Sequence, residues 1–258
     1  MEDVKIILTE EAKKMDLSKS CVLEASPSPG AAGYLALNYL TGNLKIVKIG
    51  EVRSPYFPQI CIVNDDGVAS SPKIEFYFYE GDEVKLILVS RNFPIDSSEG
   101  SYLIARKIYE FFKSIGVSEY YLLSSSRILG ENVVYVASTT IAYAKKLLDV
   151  GARLLPSLEN LPIDRYSAYM LSFFTRDNGV AYLLLSEVYT YLPDHAAAKR
   201  ILEILSRALK IKLDMEKIDR EVERQRKLIE EIQKSIGPLL PERRGGEEEP
   251  SKEPFYIG

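Results

Sequence analysis

The sequence predicts an α/β protein, a layered mixed sheet flanked by helices, with a C-terminal helical extension and a flexible charged tail. Three observations carry that expectation. Val180 to Leu185 is an unbroken apolar run behind Asp177-Asn178-Gly179, too short for a useful helix and so read as a strand buried on both faces. Pro193 cannot donate to a ladder, and Asp194 stands ready to cap a helix in which Ala197, Ala198, Ile201, Leu202, Leu205, Ala208 and Leu209 recur at helical spacing. Between Gly100 and Gly151 strand and helix patterns alternate, while the segments before them read as antiparallel hairpins.

Composition sets the bounds. The chain has 258 residues, 46% of them hydrophobic, enough for one large α/β domain or two small ones. Lys and Arg number 33 against 37 Asp and Glu, a net charge of −4, which gives no electrostatic case for nucleic acid. MEDVKIILTEEAKK has no basic region followed by an apolar core, so no secretion signal is expected. No apolar run reaches membrane-spanning length, and a cytoplasmic location is expected. Cys21 and Cys61 both fall in segments read as buried strands, so they are expected as small core side chains rather than as a disulfide or metal pair.

In chain order, Cys21 to Ala25 reads as a short strand and Ser26 to Pro29 as a turn. Gly30-Ala-Ala-Gly33 then opens a helix over Tyr34 to Leu40. That turn could point backbone N–H groups at an anion, with Gly30 and Gly33 as its hinges. It lacks the Lys-Ser or Lys-Thr of a nucleotide P-loop and the third glycine of a dinucleotide site. The plainer account is that its glycines let a helix pack close to a sheet. Leu44 to Val52, Gln59 to Val63 and Lys73 to Tyr79 carry β-branched and aromatic residues, and Asn64-Asp65-Asp66-Gly67 marks a turn. Ile74, Phe76 and Phe78 alternate with Glu75, Tyr77 and Tyr79, and Glu80-Gly81-Asp82 leads into Val84 to Val89 as a hairpin.

Gly100 to Ile115 is a helix with Ile104, Ile108, Phe111 and Phe112 on one side and Gly116 as its stop. Strands follow at Glu119 to Leu123 and Val133 to Val136, and Ser138 is placed to cap a helix from Thr139 to Val150. Arg153 to Asp177 is ambiguous, with Leu161-Pro162 in a turn and Tyr166 to Phe174 compatible with a short helix or a strand. From Ile211 the apolar residues Met215, Ile218, Val222, Ile229, Ile232 and Ile236 follow steps of four and three, with Gln225 in the missing place. Such a seam makes helices supercoil, and a polar Gln225 is a register device; the segment reads as a helical hairpin or intersubunit contact, the rival being a helix laid on its own domain. The expected organisation is therefore a core domain over 1–210, a long amphipathic helix over 211–236 and a tail over 237–258. The tail, PERRGGEEEPSKEP, has almost nothing apolar to bury and ends in Phe255-Tyr256-Ile257-Gly258.

The catalytic inventory is thin. His195 is the one histidine and sits in a helix's first turn; there is no Gly-x-Ser-x-Gly elbow, and Ser124-Ser125-Ser126 has no base near it in sequence. No Cys/His cluster suits zinc, and no cofactor is expected.

Three segments together resemble one family. Pro193-Asp194-His195-Ala196-Ala197-Ala198 is similar to its Pro-Asp-x-x-Ala-Ala element, Gly100 to Leu123 to its helix, Gly-Val, strand unit, and Pro29 to Leu40 to its Gly-rich turn and first helix. The chain thus resembles the archaeal and bacterial group related to the second eukaryotic proteasome assembly chaperone. The resemblance implies a nucleoside-phosphorylase-like layered sheet without catalytic residues, self-association, and a tail that binds 20S proteasome α subunits. The family's tail signature is hydrophobic–Tyr–any residue; Phe255-Tyr256 match its first two places, and Ile257-Gly258 add one residue. The competing function is a nucleoside- or phosphate-handling hydrolase or transferase that uses Gly30 to Gly33 as an anion cradle.

Overall fold

In the computed structural model, residues 4–236 are described apart from 64–65, 92, 128–130, 159–162 and 189–191, with Ile62 and residues 232–236 described by backbone alone. Contacts divide the chain after Val222, into a unit of residues 1–222 and a second unit of residues 223–258.

The first unit is built on a mixed sheet of nine strands. In chain order these are β1 (Lys5–Leu8), β2 (Cys21–Ala25), β3 (Val47–Arg53), β6 (Ile74–Glu80), β7 (Lys85–Ser90), β8 (Glu119–Ser126), β9 (Val134–Ser138), β10 (Arg153–Leu154) and β11 (Ala181–Glu187); β4 (Ile62–Val63) and β5 (Ala69–Ser70) form a separate pair. Across the sheet they run β1-β3-β6-β7-β2-β8-β11-β9-β10. Strands β7, β2, β8 and β11 are parallel neighbours, whereas β1, β3, β6 and β7 make an antiparallel meander and β9 runs against β11.

Both faces of the parallel centre are buried, which explains the unbroken apolar run. On β11, Ala181, Leu183 and Leu185 enter one core while Tyr182 and Leu184 enter the other. The first core lies under α2 (Ser98–Ser114) and α4 (Arg165–Arg176), the second under α1 (Ala32–Asn43), α3 (Ile141–Leu148) and α5 (His195–Leu209). The meander shows the alternation expected of a half-covered sheet: Ile74, Phe76 and Phe78 are buried, and Glu75, Tyr77 and Tyr79 are half-buried.

Local chemistry sets the helix ends. Asp194 caps α5 by accepting from Ala197 N–H at 2.8 Å, and Lys210 closes it in the left-handed conformation. Asp164 caps α4 through Ser167 N–H at 3.3 Å, so the ambiguous stretch is a helix. Ser97 caps α2 in the same way through Gly100 N–H. The second face of α4 meets α2 through aromatic edges, Tyr102 on Tyr169 at 5.4 Å and Tyr109 on Phe174 at 5.1 Å.

Several expectations are corrected. Gln59 to Val63 is not a strand of the main sheet: only Ile62–Val63 pairs, with Ala69–Ser70, and Cys61 is exposed. Cys21 is buried as expected, and the two cysteines are free. Ser138 does not cap α3; Thr140 holds that position, and the Ser138 hydroxyl donates to the Thr140 carbonyl at 2.6 Å. The segment read as a strand from Leu44 begins at Val47, because the Leu44 amide still closes α1 onto the Leu40 carbonyl. Edge strands β1 and β10 had no counterpart in the sequence reading.

The last helix, α6 (Glu216–Ile236), spans the boundary between the units. Within residues 1–222, Ile211 and Ile218 are buried and Met215 and Val222 are half-buried in the core under α1 and α5. That half of the seam lies on its own domain. In the second unit Leu228 is 55% exposed and Ile229 37%.

Candidate functional site

The parallel strands β7, β2, β8 and β11 all end on one edge of the sheet. From β2 the chain passes to α1 on one face, and from β7 to α2 on the other. Where neighbouring strands part in this way, open α/β sheets leave a crevice that commonly receives ligands. Here side chains fill it.

Glu24 near the end of β2 and Arg91 just after β7 are fully buried. Arg91 forks onto Asp164, Nη1 donating to Oδ2 at 2.8 Å and Nη2 to Oδ1 at 3.1 Å, and also donates to the Phe93 carbonyl at 2.7 Å. Its guanidinium carbon stands 4.5 Å from the centre of the Tyr166 ring. Asp164 Oδ1 further accepts from Ser26 Oγ at 3.2 Å and from the Ser167 hydroxyl. Glu24 Oε2 accepts from the Tyr120 hydroxyl at 2.9 Å and the Tyr166 hydroxyl at 3.3 Å.

Environment separates the two acids. Burial pushes Glu24 up to about 7, against the pull of Arg91 and the Tyr120 hydroxyl. Burial also works on Asp164, yet the charge of Arg91 and its hydrogen bonds hold that carboxyl below its ordinary value. Burial and the nearby Glu24 push the Tyr120 and Tyr166 hydroxyls well above the ordinary tyrosine value. Glu24 and Arg91 are closed off from solvent, so this constellation ties the strand ends to α4.

The Gly30 to Gly33 turn lies on the same edge, over the end of β8. Ala32 N–H donates to Ser125 Oγ at 3.1 Å, and Ser125 Oγ donates to the Pro29 carbonyl at 2.6 Å. Ser28 Oγ stands 2.9 Å from Ser125 Oγ and accepts from Ser125 N–H at 3.1 Å. Gly30 has a φ of 70°, and a Cβ there would press on Val188. A Cβ on Gly33 would overlap the Leu123 carbonyl oxygen. The two glycines thus seat α1 against β8, and a hydroxyl of the protein occupies the amide at the start of the helix.

Elsewhere, His195 is the first residue of α5, beside the capping Asp194. Among the described residues, no three His, Cys, Asp or Glu are grouped to hold a metal ion, and no helix is long and apolar enough to cross a membrane. Of the seam, Met215, Ile218 and Val222 fall in the first unit and Gln225 and Ile229 in the second; nothing is described of the Ile232 side chain. Phe255, Tyr256, Ile257 and Gly258 lie outside the described residues.

The sequence reading missed the Glu24, Arg91, Asp164, Tyr120 and Tyr166 cluster. A faint signal existed: Glu24 is the one charged residue in CVLEA, and Arg91 directly follows the apolar LILVS. A lone charge against a buried strand demands a partner, but Arg91 and Asp164 stand 73 residues apart.

A family model described as the PAC2 family matches residues 22–233. A protein of Methanocaldococcus jannaschii, described as uncharacterized, is 28% identical over 257 residues, covering 98% of each chain. The crystal structure of Pyrococcus furiosus PbaB, described as an archaeal proteasome activator, matches with a TM-score of 0.80 at 23% identity, over 90% of this chain and 100% of that one. Pyrococcus furiosus PbaA, described as an archaeal homolog of proteasome-assembly chaperone, matches with a TM-score of 0.72 at 20% identity, over 92% of this chain and 94% of that one. These solved structures share the fold.

Proposed function

The chain belongs to the PAC2 family, and from that premise we propose that it is a non-enzymatic proteasome-binding protein, an assembly chaperone or adaptor that docks its C-terminal tail on the 20S α ring. Family membership is the observation that carries this proposal. PbaB, an archaeal proteasome activator, and PbaA, an archaeal homolog of proteasome-assembly chaperone, point the same way. In the tail, Phe255 and Tyr256 end a charged segment poor in apolar residues, which suits a tether carrying an aromatic anchor. Docked, Phe255 would be buried, Tyr256 would bury its ring while its hydroxyl keeps a polar partner, and Ile257 and Gly258 would follow them into the contact.

Native-gel binding to α subunits and to intact 20S particles tests this. Removing Phe255 to Gly258, or Tyr256→Ala alone, is expected to abolish binding without changing the fold or the mass of the protein in solution. Unchanged binding by either variant would show that the tail is not the hook. An enzyme using the Gly30 turn would need a free amide there, and Ala32 N–H is already bonded to Ser125. A thermal-shift screen with phosphate, nucleosides and nucleotides addresses that alternative, since a ligand at about a hundred times its Kd stabilises by about 2.7 kcal/mol.

Self-association through α6 is part of the same proposal. What supports it is the seam continuing through Gln225 and Ile229, beside the exposed Leu228, beyond the half already packed on the first unit. Ile218 is a poor probe because it is buried in its own core, where a charge would damage the fold. The double variant Leu228→Glu with Ile229→Glu is expected to lower the mass measured by light scattering while the melting midpoint of the α/β unit stays put. An unchanged mass would remove this helix from the contact. Several tails on one oligomer would then act together through their effective concentration.

A further inference from the structure

Among the described residues, the crevice at the ends of β2 and β7 holds two carboxyl groups for one guanidinium, so with both acids ionised it would carry one more anion than cation. Its charged groups are the carboxylates of Glu24 and Asp164 and the single guanidinium of Arg91. The guanidinium is not shared evenly. Both of its terminal nitrogens go to Asp164, at 2.8 and 3.1 Å, whereas Glu24 Oε1 faces only Nε, at 3.7 Å. That distance is too long for a hydrogen bond, and both Glu24 Oε1 and Arg91 Nε lack a hydrogen-bond partner.

Among the described residues, no other element supplies the missing positive charge. From β8 the group facing Glu24 is Tyr120, and from α4 the groups are Tyr166 and Asp164. The buried residues of α2 in this core include Ile104, Ala105, Ile108 and Phe112, none of them charged. A net negative charge sealed in a medium of low polarizability is costly, and the carboxylate with the weaker hold on the cation is the one to yield.

We propose that this cluster is a proton-linked latch: one proton, resident on Glu24, neutralises the crevice and keeps the first turn of α4 seated on the ends of β2 and β7, and its loss loosens that turn. With Glu24 neutral, Asp164 is the one carboxylate in the crevice competing for Arg91, whose remaining bonds go to the Phe93 carbonyl and the Ser167 hydroxyl. Once Glu24 gives its proton to solvent, two carboxylates compete for one guanidinium. Asp164 is also the N-cap of α4, so drawing Arg91 toward Glu24 weakens the grip on that helix start. Tyr166, stacked on Arg91 and bonded to Glu24, is in the same turn. Burial places the transition near neutrality, at about 7. Glu24 holds its proton more tightly in the folded chain than in the unfolded one. The stability it contributes is therefore full below the ordinary glutamate value and is lost as the pH rises through about 7.

Hydrogen exchange of the full chain, expressed as protection relative to the unstructured exchange rate at each pH, reads the latch directly. Between pH 6 and pH 8, protection of the amides from Tyr166 to Met170 is expected to fall about tenfold relative to α5, one decade corresponding to about 1.4 kcal/mol. Glu24→Gln, which carries no titrating proton, should abolish that pH dependence. Equal pH dependence in both proteins, or none in the wild type, would overturn the proposal. Infrared spectroscopy of the wild-type protein keeps the idea testable should Glu24→Gln fail to fold. A protonated-carboxyl band in the sealed core is expected at pH 6 and should fade by pH 8, and its absence at pH 6 would equally overturn the latch.

Discussion

Leu205→Asp is expected to leave no cooperatively melting protein. Leu205 is fully buried on α5, in the same apolar cluster as Leu184 of β11, Val136 of β9 and Leu40 of α1. Truncating such a leucine already costs about 2–5 kcal/mol. The aspartate adds a desolvated charge with no cation provided, and the whole margin of a domain of this kind is on the order of 5–15 kcal/mol. Circular dichroism against temperature checks this. A soluble variant melting sharply near the wild-type midpoint would show that the face of α5 carrying Leu205 is not buried.

Arg91→Met is expected to cost about 3–5 kcal/mol, because removing one partner of a buried ion pair strands the other. Here it strands Asp164, now without its fork, next to Glu24. For a domain of this size that loss corresponds to roughly 2–4 °C of melting midpoint per kcal/mol. The effect has a sign in pH. In the wild type Arg91 holds Asp164 below its ordinary value, so that acid contributes stability above its ordinary value and loses it in acid. In the variant burial is opposed only by the hydrogen bonds from Ser26 and Ser167, and where it outweighs them it raises Asp164 in the folded chain, so that contribution is present in acid and lost as the pH rises. The gap between the two proteins should therefore widen from pH 5 to pH 8, as read by urea denaturation. A gap that stays constant or closes would mean that the crevice admits water or another cation.

What could be read from the sequence was local. Pro193-Asp194 stops one element and starts the next through their own chemistry, so the strand before them and α5 after them were legible together. Gly100 to Ile115 was legible from its period and its stop at Gly116, although the helix begins at Ser98 through the Ser97 cap. Short edge strands carry no such mark. Arg153–Leu154 is two residues long, and Lys5–Leu8 shows neither alternation nor a bounding turn strong enough to separate it from its surroundings. Gln59 to Val63 had the right residue types, but β-branched side chains do not say which sheet a strand joins. The crevice was least legible, since Glu24, Arg91 and Asp164 meet only when β2, β7 and α4 are in place. At Gly33 the reverse held: close helix packing was foreseen as one account, and the Leu123 carbonyl supplies its physical cause.

The position of β2 has a consequence for how the chain is made. It leaves the ribosome well before β7 and β8, yet it lies between them in the sheet. The antiparallel ribbon of β6 and β7 closes locally, across the short Gly81 to Val84 turn. Pairing β2 with β8 instead matches Cys21 with Glu119, and closing so long a loop costs entropy before any contact repays it. A nascent chain that has not reached Ser126 therefore carries the CVLEA segment, apolar but for Glu24, with at least one edge of its backbone unpaired. The strand at the centre of the finished sheet is, during synthesis, an aggregation hazard.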